Sequence, residues 1–292
     1  MENPLAVVQH GALIEDRGAD ICVPWWSFTK TVIAAAALVL VRDGHLALDQ
    51  PCTNRAFTLR QLLQHRAGVS NYGELADYHA AVAQDADPWP VATLLERTQA
   101  DRLRFAPDQG WAYSNIGYLV VRTLIEETRG EDLDTALHAL VLEPLDIRGP
   151  RIAVTRNDLA EVEMGGGAYH PGWVYHGLMV GRVSDAALLL DRLMTGDLLP
   201  SKLHGEMRRG HSLGFPSATG RWRDPAYGLG LMCDTARDDG AAFGHTGGGP
   251  GSAIAVYHFE TARPMTVAAF AFGNEPARVG EVEEIVLAGA RP

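Results

Sequence analysis

The sequence predicts an α+β fold: an antiparallel sheet flanked by helices, with a helical subdomain set into the chain between the two halves of the sheet. Three observations carry this. Residues 6–15 alternate as a short strand or hairpin arm. A long middle stretch is a succession of helix-forming segments. After about Trp222, short β-branched and aromatic runs broken by Gly and Pro take over. The division expected is residues 1–57 and 220–292 for the sheet subdomain and 58–219 for the helical one, with the active site in the cleft between them.

Each element has its own signal. Residues 28–42 are strong helix formers closed by Gly44. Thr58 is placed to N-cap a helix over 58–66, with Gly68 beyond its end. Residues 90–98, 116–128 and 133–142 read as further helices, and 184–194 as one that opens with Ser184 as N-cap and shows an apolar face. Residues 227–233, 253–259 and 265–272 read as consecutive antiparallel strands, and 278–287 as a terminal helix.

The chain has 292 residues, 47% hydrophobic and 21% charged, the composition of a soluble globular protein with material for a sizeable core. Its formal net charge of -11 argues against nucleic acid or an anionic membrane surface as partner, since both need clustered Lys and Arg. Cys22, Cys52 and Cys233 are odd in number and lack C-x-x-C spacing. They read as reduced, mostly buried thiols rather than a disulfide framework or a metal site. The first residues lack the basic start and continuous apolar stretch of a secretory signal. The richest apolar run, residues 31–41, is too short to span a bilayer. The expectation is a cytoplasmic protein.

Three local patterns carry chemistry. The first is Trp25-Trp26-Ser27-Phe28-Thr29-Lys30. Residues three apart share a helix face, so Ser27 and Lys30 can touch. A serine hydroxyl needs a base to become a nucleophile, and a lysine becomes that base when burial disfavours its ammonium form. Read alone, an N-cap serine followed by a solvated lysine is commoner, but a lysine early in a helix opposes the macrodipole and so needs a reason to be there.

The second pattern is Tyr113-Ser114-Asn115, leading from a Pro/Gly turn into a helix. Tyr113 can act as general base or acid beside a cation such as Lys30, and Asn115 can donate to a substrate carbonyl and accept from Lys30. The bland alternative is a capping turn with a core tyrosine.

The third is Phe243-Gly244-His245-Thr246-Gly247-Gly248-Gly249-Pro250. Its glycines, Gly247 among them, allow a ligand close to the backbone. The N–H of Gly248 is the candidate to complete an oxyanion hole with that of Ser27. His245 and Thr246 are candidates to bind a substrate carboxylate or orient a proton relay. The alternative is a glycine-rich hairpin turn. The remaining histidines, His65 and His176 among them, show no ligand spacing and read as surface or core. Residues 169–176 read either as a loop over the cleft or as packing.

The order Ser-x-x-Lys, Tyr-x-Asn, His-x-Gly before a C-terminal strand resembles the penicillin-recognising serine hydrolases. The nearer branch is class C β-lactamase-like: D-alanyl-D-alanine carboxypeptidases, D-aminopeptidases and related esterases. The Ser-Asp-Asn and Lys-Thr-Gly motifs of class A enzymes are not matched. The likeness runs over nearly the whole chain, with support at residues 30–49, 59–68, 113–130 and 142–145. It implies a β-lactamase/transpeptidase-like architecture, acylation of Ser27, proton transfer shared by Lys30 and Tyr113, His245 on the sheet-edge strand, and neither metal nor organic cofactor. Two departures matter. His245 stands where many lactamases have Lys, and the segment before Ser27 is short, which suggests a reduced sheet. The expected substrate is a small ester, amide or peptide. Esterase or amidase ranks first, D-amino-acid peptidase second and β-lactamase third. An inactive ligand-binding protein on the same scaffold is weighed down by the presence of Ser27, Lys30 and Tyr113 together.

Overall fold

Two consecutive residues at positive φ, His10 (52°) and Gly11 (75°), turn the start of the chain back on itself. This is the backbone that a tight hairpin of right-twisted strands requires. The hairpin is β1 (Leu5–Gln9) and β2 (Ala12–Arg17). The computed structural model describes residues 2–52, 55–166, 169–214, 221–273 and 277–290. A short strand β3 (Cys22–Pro24) leads through a single 3₁₀ turn, Trp26–Phe28, into α1 (Thr29–Arg42). Helices α2 (Leu59–Leu63), α3 (Ala76–Ala83), α4 (Val91–Arg97), α5 (Asn115–Arg129) and α6 (Leu133–Leu137) follow. Next come β4 (Arg151–Ala153), β5 (Leu178–Arg182), α7 (Val183–Thr195) and α8 (Ser201–Arg208). The chain finishes with β6 (His211–Ser212), β7 (Ala226–Tyr227), β8 (Met232–Asp234), β9 (Ala242–Gly249), β10 (Ser252–Phe259), β11 (Met265–Phe272) and α9 (Ala277–Gly289).

The large sheet runs β2-β1-β11-β10-β9-β8-β7-β6, antiparallel throughout. Successive side chains of a strand point to opposite faces, and here both faces are covered. Ala6, Val8, Ile254, Val256, Ala268 and Phe270 face the core that includes α1 and α7. Leu5, Val7, Ala255, Tyr257, Val267 and Ala269 face α9 through Val282 and Val286. Two covered faces explain why 253–259 and 265–272 are nearly unbroken apolar runs. Helix α1 is buried along its length from Thr29 to Leu40, so its alanine run is a core helix packed on several sides.

Several local expectations need correction. Ser184 does not cap α7. Strand β5 runs straight into the helix, Arg182 occupies the cap position, and the Ser184 N–H instead donates to the Ala19 carbonyl (2.9 Å). Residues 227–233 are not one strand but the ends of two, because the Gly228 N–H bonds to the Leu231 carbonyl (2.8 Å) and Gly230 takes φ +75°. The glycine-rich stretch is strand β9 as far as Gly249 rather than a turn; β9 lies inside the sheet order, but beyond Gly244 it has no registered partner on its β8 side among the described strands. The segment before Ser27 gives two strands to the large sheet and one to a small second sheet, β3-β5-β4, which carries no alternation long enough to read. Of the cysteines only Cys233 is buried; Cys22 and Cys52 are half-buried.

The turn at Gly230 fixes α1 against the sheet. Its carbonyl accepts from Thr31 Oγ1 (2.7 Å), and a Cβ there would collide with the Ala34 Cβ and lie 3.1 Å from the Lys30 carbonyl. Gly230→Ala is expected to lose about 2–4 kcal/mol from left-handed strain plus overpacking; a urea midpoint equal to that of the wild type would refute this.

Candidate active site

The residue before the candidate nucleophile is strained. Trp26 has φ +42°, a region that bulky side chains rarely occupy, and such strain persists only where surrounding contacts enforce it. They do so here. The Trp26 indole donates to Ser252 Oγ (3.1 Å) and meets Tyr169 edge-on at 5.5 Å. Trp25 is fully buried, with its N–H on the Met179 carbonyl (2.8 Å) and its indole on the Gly181 carbonyl (3.3 Å). The turn is thus clamped between β5 and the start of β10, and it presents a half-buried Ser27 at the head of α1.

Beta-strand β9 closes the other side. A Cβ on Gly247 would sit 2.6 Å from the Ser27 amide nitrogen and 2.9 Å from the Trp25 carbonyl oxygen, and one on Gly249 would enter the Trp26 ring. The glycines are therefore needed for strand-to-turn packing as well as for ligand approach. Beta-strand β8 pairs only with Ala242–Gly244, so no registered partner covers that side of His245–Gly249 among the described strands. Gly248 and Gly249 line, with Ser27, Tyr72, Asn115 and Tyr169, a cavity of about 90 Å³.

One hydroxyl gathers the first two motifs. Lys30 Nζ is 3.1 Å from Ser27 Oγ, and Tyr113 Oη donates to the same oxygen at 2.9 Å. Lys30 also donates to Asn115 Oδ1 (2.8 Å). The Lys30 side chain is fully buried, and that burial holds its pKa well below the usual lysine range. Tyr113 is held above the ordinary tyrosine value by burial, with the bond to Ser27 opposing. A buried neutral amine beside a hydroxyl can take its proton, and a phenol that keeps its own proton can donate one.

The third motif divides. His245 is fully buried and neutral, its pKa pushed down to about 3 chiefly by burial. Its Nδ1 lies 2.7 Å from the Thr246 carbonyl, which can only accept, so Nδ1 carries the proton and Nε2 accepts from Tyr227 Oη (2.8 Å). No ring N–H remains for a substrate carboxylate. Thr246 points to the opposite sheet face, with its hydroxyl on Glu283 Oε1 and Tyr257 Oη, both at 3.0 Å. Alternation of the strand thus turns Thr246 away from the cavity, while the His245 ring stays on the site side with both nitrogens engaged.

Three further residues meet the site without a readable sequence signal. His176 Nε2 is 3.0 Å from Lys30 Nζ. Asn71 Oδ1 accepts from both the N–H (3.1 Å) and the amide Nδ2 (3.2 Å) of Asn115, which turns the Asn115 carbonyl oxygen towards Lys30. His65 packs against the Tyr113 ring (4.3 Å between centroids) and takes the Ser114 N–H on Nδ1 (3.1 Å). Each is remote in sequence from the motifs it supports; only the aromatic, glycine-flanked setting of 169–176 hinted at a cleft role for His176.

A family model described as Beta-lactamase matches residues 5–290. The chain belongs to the beta-lactamase family. The match supports a hydrolase of the β-lactamase fold. Among curated relatives, Esterase EstB of Burkholderia gladioli is 32% identical over 145 residues, 42% of this chain and 36% of that protein, so the match spans about a third of that relative's length. Among solved structures, a D-stereospecific amidohydrolase from Streptomyces sp. superposes with TM-score 0.79 at 24% identity, over 96% of this chain and 93% of that one. The D-amino acid amidase of Ochrobactrum anthropi SV3 gives 0.80 at 21%, over 98% and 95%. At these identities the structural likeness speaks to the fold. Among the described residues, no helix is long and apolar enough to cross a membrane.

Two consequences can be measured. Gly247→Ala is expected to shift Ser27 and cut hydrolysis roughly 100-fold while costing about 1–3 kcal/mol of stability; full activity in the variant would refute the close-packing argument. Burial lowers the Lys30 pKa in the folded state, whereas the unfolded chain binds a proton below about pH 10.5. Between the lowered folded pKa and about 10.5 the unfolded state carries the extra proton, so across that window this group makes stability rise with pH. Lys30→Met removes that dependence. Its stability relative to wild type should climb as urea melts are moved from about pH 10 to about pH 7, and a constant difference would show that Lys30 is charged in the fold.

Proposed function

We propose that the protein is a serine hydrolase that forms an acyl-enzyme at Ser27, acting on an ester or amide bond of a small substrate with an uncharged acyl group. The observation that carries this reading is the convergence on one oxygen: Ser27 Oγ has a buried amine at 3.1 Å and a phenol at 2.9 Å. Among the described residues lining the adjoining cavity, none is an acid, an arginine or a lysine, and its volume of about 90 Å³ suits a small group.

In this mechanism Lys30 is the base of acylation and Tyr113 the acid. Burial pushes the two groups in the directions those roles need: the amine towards neutral, the phenol towards protonated. Ser27 Oγ attacks the carbonyl carbon as its proton moves to Lys30 Nζ. The oxyanion is received by the N–H groups of Ser27 and Gly248, Gly247 being packed directly on the Ser27 amide. The leaving group departs with the Tyr113 proton, which Lys30 then replaces. Water attacks the acyl-enzyme with the same pair returning the proton to Ser27.

A second reading is a D-amino-acid amidase or peptidase, favoured by two structural neighbours described as a D-stereospecific amidohydrolase and a D-amino acid amidase. Initial rates on p-nitrophenyl butyrate and D-alanine p-nitroanilide separate the two. Faster ester turnover is expected, and faster anilide turnover would favour the second reading. Ser27→Ala should lower kcat/KM at least about 1000-fold on either substrate, and turnover that survives in the variant would remove Ser27 as nucleophile.

A further inference from the structure

We propose that His176 is a positioning residue for the hydrolysis: by accepting one N–H of the Lys30 amine at Nε2, it aims the lone pair of that amine at the Ser27 hydroxyl. This rests on the reading of Ser27 as nucleophile and Lys30 as its base. It starts from a count of hydrogen-bonding positions. A neutral amine has two N–H bonds and one lone pair. Lys30 Nζ has three polar neighbours: Ser27 Oγ at 3.1 Å, Asn115 Oδ1 at 2.8 Å and His176 Nε2 at 3.0 Å. The Asn115 oxygen can only accept, and Asn71 fixes that amide in this orientation. If Nε2 accepts the second N–H, the lone pair is left facing Ser27. With Asn115 alone the amine is free to rotate about Cε–Nζ, and its lone pair faces Ser27 only part of the time.

The imidazole itself suits the role. Burial holds its pKa well below the ordinary histidine value, so it stays neutral and able to accept. The other groups facing the amine do not compete as acceptors of comparable strength: the Tyr113 and Tyr118 rings lie 5.0 and 5.7 Å from Nζ. His65 and His245 are likewise kept neutral by burial, and Arg122 is turned to Glu126 and the Tyr175 carbonyl. Acceptance at Nε2 puts the ring proton on Nδ1, which is buried with no hydrogen-bond partner. An unmatched buried donor is destabilising, and such local conflicts are expected where a site overrides packing. The segment that carries the ring is tied down on both sides of it: the Gly177 N–H bonds to the Val174 carbonyl (2.7 Å), and Tyr175 Oη to the Trp89 carbonyl (2.9 Å).

In the step so prepared, the Ser27 O–H bond breaks, its proton joins the Nζ lone pair, and Oγ bonds to the carbonyl carbon. The resulting ammonium keeps Asn115 and His176 as acceptors, and His176 gains or loses no proton.

The test compares His176→Gln, whose Oε1 can reach the Nε2 position as an acceptor, with His176→Asn, too short to do so, and His176→Leu, which has no acceptor. The probe is a fluorophosphonate, which labels an activated serine without a matched acyl pocket. Folding is checked by melting temperature. Labelling of the Asn and Leu variants should slow roughly 10- to 100-fold, with kcat for p-nitrophenyl butyrate falling in parallel, KM within about twofold of wild type, and rates recovered in Gln. If Leu does not fold, the Asn–Gln pair gives the answer. Wild-type labelling rates in Asn, or a change confined to KM, would overturn the proposal. A wild-type protein labelled no faster than Ser27→Ala would instead overturn the Ser27 reading on which it rests.

Discussion

The backbone of β9 lies flush against the turn that carries Ser27, and the rest of the site is arranged around that contact. It requires Gly247, because any side chain would enter the Trp25–Ser27 backbone, and Gly249, because the Trp26 ring occupies its space. It holds Trp26 at a φ that an isolated tryptophan avoids. Two stiff elements, a sheet strand and a buried helix, therefore meet at one residue. A hydroxyl positioned in this way does not have to be ordered at the moment of reaction, which is a large part of what an enzyme scaffold contributes.

Alpha-helix α1 supplies the complementary constraint. It is buried from Thr29 to Leu40, and Lys30 enters the core with it. A charged amine there would be heavily penalised, so the fold favours the neutral form and in doing so provides a base. The stability lost by desolvating Lys30 and the reactivity gained at Ser27 have the same physical origin. The network around the amine extends this logic outward through Asn115 to Asn71 and through His176 to the 169–177 segment, where Trp173 packs edge-on against Tyr78, Trp89 and Tyr175.

His245 shows how one motif can be read for the wrong atoms. In sequence it stands beside glycines ahead of a strand, a natural place for a ligand contact. In the fold its side chain is sealed between Tyr227 and the Thr246 carbonyl, and what β9 presents to the cavity is backbone at Gly248 and Gly249. Thr246, one residue on, faces α9 simply because strand side chains alternate.

The sequence by itself determined the elements whose signals are local. The S-x-x-K spacing puts Ser27 and Lys30 on one helix face. Thr58 N-caps α2, the apolar runs at 253–259 and 265–272 stand out as strands, and the order of the three motifs marks the family. Tertiary structure decided everything that depends on pairing across the chain. Strands of two or three residues, such as β3, β4 and β6, carry too little alternation to read and exist only because a partner meets them. Lys30 meets His176 across 146 positions, and Ser27 meets Tyr113 across 86. Such contacts leave no periodic trace, because they arise from how helices and strands pack rather than from how any one of them forms.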